Sequence, residues 1–224
     1  MYKKVNTVIF DFKMYHSIAF KYTPLRQPSK VLMNIGFLSV AAHFMILLTM
    51  FFASGYQWIS YLMLENEWFA GTVTILLLIE HSVWLHLLWC LADHAYYSLG
   101  LAYIGVLLAM TSWVMELVIP TEPDPKGLHP WFCILFIAGC VLNVSGSLLL
   151  LPGKHHGIDA SYKYVFAFLA LASVMTAAVW FTWWMVKDSV KLPGAWHIEE
   201  TFQIVAYSTY LAAISIVFNW FRVN

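Results

Sequence analysis

The stretch FAGTVTILLLIEHSVWLHLLWCLA, residues 69–92, decides the fold. Its apolar side chains surround a helical projection on all sides, and about 20 such residues suffice to cross ~30 Å of hydrocarbon. Five more stretches of this kind flank it, at 31–53, 97–119, 130–151, 164–186 and 201–221. The reading is an all-α membrane protein, a bundle of six transmembrane helices. A count of five or seven spans competes with it, because residues 55–64 are apolar but too short to cross. Short connections leave no room for a water-soluble domain in the middle of the chain.

Composition agrees. The 224-residue chain is 61% hydrophobic and 11% charged, against roughly 25% charged in soluble domains. The formal net charge is zero, with 12 basic and 12 acidic residues, which argues against nucleic acid as a partner. The charges are sorted by side. Lys3, Lys4, Lys13, Lys21, Arg26, Lys30, Lys154, Lys163 and Arg222 fall on one side of a six-span trace, and only Lys126, Lys187 and Lys191 on the other. The positive-inside rule then makes both termini cytoplasmic. Localisation is multi-pass integral membrane, with the particular membrane unspecified.

Residues 1–30 read as a cytoplasmic surface helix and tail, and 31–224 as the six-span bundle. Val5, Val8, Ile9, Phe12, Tyr15 and Ala19 recur at helical spacing with lysines opposite, the pattern of an interfacial amphipathic helix. No signal-peptide core precedes it, since Asp11 and Lys13 close the only short apolar run. The tryptophans Trp58, Trp68, Trp113, Trp131, Trp183, Trp184 and Trp196 are expected at the outer interface. Cys90, Cys133 and Cys140 read as small buried residues, not as a disulfide framework.

Three places carry candidate chemistry. The first is mid-membrane: His43 at the centre of the first span, Glu80 and His81 at the centre of the second, and Asn143 at similar depth in the fourth. Ionisable residues at that depth cost at least ~2.5 kcal/mol when charged and face the bundle interior. A glutamate without a partner would take up a proton, and a nearby histidine can supply the partner. His43, Glu80, His81 and Asn143 therefore form a candidate site for a proton, cation or polar lipid headgroup. The competing reading is a satisfied polar network that fixes helix register.

The second place is His86, Cys90, Asp93 and His94 on one face of the second span, joined on the same side by His155 and His156. These are transition-metal ligand types. A b-type haem between His43 and His81 is a further option, as two helices at one depth can supply both axial ligands. The histidines do not make the several one-sided boxes of membrane di-iron enzymes, because His129 and His197 lie on the outer side and His43 is mid-membrane. The third place is an outer rim of carboxylates, Glu65, Glu67, Glu116, Glu122, Asp124, Glu199 and Glu200, near His129 and His197. A solvated rim imposed by topology is the preferred reading there.

A face of Gly139, Asn143 and Ser147, with Gly146 beside it, lets another helix approach closely. The absence of a lysine inside 31–53, 69–92 and the other apolar stretches excludes a retinal Schiff base, and no phosphate loop of the Walker kind is present. The leading functional reading is a binding or transport module in the lipid bilayer working through the mid-membrane His/Glu cluster. Alternatives are a His-liganded metal or haem redox enzyme or enzyme subunit, and a structural subunit of a larger complex. Membrane-protein partners or a homo-oligomer fit any of these. No family is recognised.

Overall fold

The computed structural model describes residues 28–53, 66–92, 96–118, 128–151, 161–190 and 195–223. These form six helices: α1 (Lys30–Ala53), α2 (Glu67–Leu91), α3 (Tyr96–Val118), α4 (His129–Leu150), α5 (Ser161–Val190) and α6 (Ala195–Val223). All six are long and apolar enough to cross a membrane, and there is no strand among the described residues. The expected amphipathic helix at the N-terminus lies outside the described residues. Membrane crossing explains why these segments are helical, since lipid offers no partner for the backbone and an α-helix satisfies its own.

Local signals set the ends. The side chain of Asn66 caps α2 by accepting from the Phe69 amide at 3.1 Å, which satisfies one of the four orphan donors of a helix start. Pro130 sits in the first turn of α4, where its missing N–H costs nothing. α5 and α6 begin before and end beyond the apolar stretches 164–186 and 201–221. One consequence is that Lys163 falls within the first turn of α5, where its ammonium donates to the carbonyl of Leu151 at 2.7 Å.

Each helix packs on its chain neighbours, and α6 returns to pack on α1, so the six form a ring closed in chain order. Trp84 of α2 stacks on Phe166 of α5 with ring centroids 6.0 Å apart, and α2, α4 and α6 also touch across the middle. They are the more buried helices and supply most of the interior, including Trp84, Leu87 and Leu88 from α2 and Tyr210, Leu211, Ile214 and Phe218 from α6. The Arg222 guanidinium lies 4.0 Å above the Phe37 ring. The start of α1 and the end of α6 therefore occupy the same end of the bundle.

The closest approach is between α3 and α4. A Cβ on Gly105 would stand 2.3 Å from the amide nitrogen of Asn143, one on Gly139 2.5 Å from that of Ala109, and one on Gly146 2.7 Å from that of Ala102. These pairs set an antiparallel register in which backbone meets backbone, the arrangement that small residues permit in lipid. Of the expected small face of α4, Gly139, Gly146 and the Asn143 backbone meet α3, while the Asn143 side chain turns to Trp84 of α2 and Tyr210 of α6. Polar links tie the other neighbours: Ser39 Oγ donates to Leu76 O at 3.1 Å between α1 and α2, and Ser173 Oγ to Ala206 O at 2.7 Å between α5 and α6. Trp68 and Trp131 are largely exposed, as interfacial indoles should be, but Trp113 is not. It is buried, and its indole N–H donates to Thr74 Oγ1 at 3.0 Å. Counting along the chain could not tell a tryptophan at the membrane boundary from one tied inward.

Candidate functional site: a buried polar core between alternate helices

The central helices bring together two polar groups of different character. In the first, His81 on α2 has both ring nitrogens engaged: Nδ1 with Leu77 O at 2.8 Å and Nε2 with Tyr210 Oη at 2.8 Å. A carbonyl only accepts, so Nδ1 carries a proton and donates. Asn143 Nδ2 donates to Tyr210 Oη at 2.8 Å, which frees the phenol proton for His81 Nε2. Asn143 Oδ1 accepts from the Trp84 indole at 3.0 Å. Ser147 Oγ donates to the Asn143 carbonyl at 2.6 Å and lies 3.2 Å from Oδ1. These bonds are mutually consistent with His81 as the neutral Nδ1–H tautomer. Asn143 at 1% exposure and His81 at 2% are sealed inside. This group is closed: it staples α2, α4 and α6 into a triangle.

The second group is open. His43 Nδ1 is hydrogen-bonded to Glu80 Oε1 across the α1–α2 contact, and both side chains are fully buried. The remaining polar atom of each, His43 Nε2 and Glu80 Oε2, is buried without a hydrogen-bond partner, and so is the Tyr207 hydroxyl on α6. The His43 and Tyr207 rings meet edge to face with centroids 5.5 Å apart. Tyr207 stacks on Tyr210, one turn further along α6, with centroids 6.0 Å apart and 15° between planes. Phe136 of α4 closes the far side of Tyr207 at 5.2 Å.

Glu80 and His81 are consecutive, so a helix points them about 100° apart. That turn divides them: Glu80 meets α1 and His81 meets α6. The four mid-membrane candidates are thus all interior, but as two sets, His43 with Glu80 and His81 with Asn143. Tyr210, Trp84 and Tyr207 were not anticipated as members. Tyr207 and Tyr210 carried a signal, two phenols one turn apart in the middle of an apolar stretch with Ser208 and Thr209 between them.

The expected haem does not fit these histidines as they are bonded. Both ring nitrogens of His81 are occupied by hydrogen bonds, so it could serve as an axial ligand only by giving up its bond to Tyr210 or to Leu77; His43 bonds Glu80 through Nδ1 and keeps Nε2 unbonded. For the expected metal ligands the picture is partial. His86 is exposed on α2, with its Nε2 3.7 Å from the buried Cys90 Sγ. Asp93, His94, His155 and His156 lie outside the described residues. Among the described residues no three His, Cys, Asp or Glu side chains are grouped to hold a metal ion. Cys90, Cys133 and Cys140 are buried and none forms a disulfide. Of the outer carboxylate rim, only the side chains of Glu67 and Glu116 fall among the described residues.

Comparison with protein-family models, with curated proteins and with solved structures gives no match.

Proposed function

We propose that this polytopic membrane protein is a binding or transport module whose His43–Glu80 pair takes up and releases a proton at mid-depth. The observation that carries the reading is that no described protein group meets the pair's second polar atoms, His43 Nε2 and Glu80 Oε2. A buried polar group must find water there or cost about 1–3 kcal/mol, and fixing helix register needs neither. The closed group of His81, Tyr210, Asn143 and Trp84 already ties α2, α4 and α6 together, and each of its polar side-chain atoms has a partner.

The chemistry suits proton handling. A proton shared between carboxyl and imidazole leaves the pair neutral in either arrangement, so its burial isolates no single ion. A second proton, or loss of the first, creates one net charge at the centre of the bundle. Such a change supplies the differential stability by which a transporter's conformations can be biased. His81 and Asn143 serve this site by holding α2, α4 and α6 in place around it. The basic excess at the end shared by Lys30 and Arg222 supports placing both termini in the cytoplasm.

The test uses the purified full chain in liposomes loaded with a pH-sensitive dye. An imposed proton gradient should decay faster than in protein-free vesicles, and Glu80→Gln and His43→Ala should each abolish the excess. In detergent, a pH jump should show proton uptake by the wild type that Glu80→Gln lacks. If both variants match the wild type in flux and in uptake, the reading fails.

A further inference from the structure

We infer that the space bounded by His43, Glu80 and Tyr207 is a water site, where one or two bound molecules complete the three side chains' hydrogen bonds. The three groups come from three helices, α1, α2 and α6. Each is buried, and each has one polar atom with no partner among the described residues: His43 Nε2, Glu80 Oε2 and Tyr207 Oη. They are also neighbours, since His43 bonds Glu80 and its ring lies 5.5 Å from that of Tyr207. Folded proteins bury roughly one water per 27 residues, each making about three hydrogen bonds to polar groups of this kind.

The donor set selects the ligand. A hard cation such as calcium takes six to eight oxygens, and here there are one carboxylate oxygen and one phenol. A tetrahedral transition metal takes three or four nitrogen, sulfur or carboxylate ligands, but Glu80 Oε1 and His43 Nδ1 are already committed to each other. Water matches without change. It donates to Glu80 Oε2, accepts from the Tyr207 hydroxyl, and meets His43 Nε2 as donor or acceptor according to where that ring's proton sits.

The titratable side chains around this space are His43 from α1, Glu80 and His81 from α2, Glu116 from α3, Cys140 from α4, and Tyr207 and Tyr210 from α6. Glu80, Glu116, Cys140 and Tyr210 all lie within electrostatic reach of Tyr207. α5 contributes none among the described residues. Tyr207 gives the water a role: its hydroxyl can relay a proton to the pair from the α6 side. That role rests on the proton-site reading above, whereas the water's presence rests on geometry alone.

Infrared difference spectra of the full chain between acid and neutral pH provide the test. A sharp O–H stretching band that shifts on exchange into ¹⁸O-labelled water is expected in the wild type. Tyr207→Phe should at least halve it, and Tyr210→Phe should leave it in place. Thermal unfolding gives an independent readout. With water present, Tyr207→Phe strands a bound molecule and lowers the melting temperature by about 2–4 °C; at a dry site the same change removes an orphaned hydroxyl and raises it. Absence of the isotope-sensitive band, or a stabilised Tyr207→Phe, overturns the water site and leaves the proton assays untouched. A band present beside an unaltered Glu80→Gln flux would instead remove the transport reading alone.

Discussion

Replacing Gly105 by alanine tests whether the α3–α4 contact holds the buried polar core in register. The added Cβ would stand 2.3 Å from the Asn143 amide nitrogen and 2.7 Å from the Gly139 carbonyl oxygen, where ordinary contact begins at 3.4 Å. The helices must part by about 1 Å, because the obstructing atoms are backbone and cannot rotate away; overpacking of this kind costs about 1–3 kcal/mol. Alanine favours the helix over glycine by ~0.8–1.0 kcal/mol, which offsets part of that. The expected net loss is about 0–2 kcal/mol. Gly71→Ala supplies the control, since nothing lies within 4 Å of a Cβ there; that variant gains the propensity without the clash. The assay is reversible unfolding in mixed micelles followed by far-ultraviolet circular dichroism. The two variants should differ by the clash cost, about 1–3 kcal/mol, with Gly71→Ala the more stable. Because the clash falls on the main chain of Asn143, its bonds to Trp84 and Tyr210 should loosen as well. If Gly105→Ala proves as stable as Gly71→Ala, backbone contact between α3 and α4 is not what positions Asn143.

Asn143→Leu removes the partner of the Trp84 indole and of the Tyr210 hydroxyl together. Intramembrane hydrogen bonds average ~0.6 kcal/mol and orphaned groups cost about 1–3 kcal/mol, so a loss of about 2–4 kcal/mol in the same unfolding assay is expected; a neutral effect would show the triangle to be incidental. For orientation, a fluorescent protein fused after the last helix should fluoresce and an alkaline phosphatase fused there should be inactive. The reverse pattern would invert the topology.

The six helices were legible because lipid demands long, apolar, self-satisfied segments, and that demand is written in composition. The interior position of His43, Glu80, His81 and Asn143 was legible for the same reason, since a polar side chain at mid-depth has nowhere else to go. What one dimension did not show is how they pair. Glu80 and His81 are adjacent in sequence, and only the helical turn between them sends one toward α1 and the other toward α6. Tyr207 and Tyr210 escaped notice because a tyrosine in an apolar stretch reads as bulk until a partner for its hydroxyl appears. That Trp113 turns inward to Thr74 was not legible either, as position along a helix says nothing about which side a residue faces. His86 shows the limit of spacing arguments: it shares a face with Cys90, but that face leaves its ring exposed.

The ring of helices closes only when α6 packs against α1, and this orders biosynthesis. Until the final crossing leaves the translocation machinery, His81 and Asn143 lack the phenol that joins them, and one wall beside His43 is missing. A chain truncated before residue 195 therefore presents unsatisfied polar groups toward the bilayer interior, a signature of an unfinished protein. Completion and burial of the core are the same event, so a mutation that weakens docking of α6 should act first as a defect in maturation.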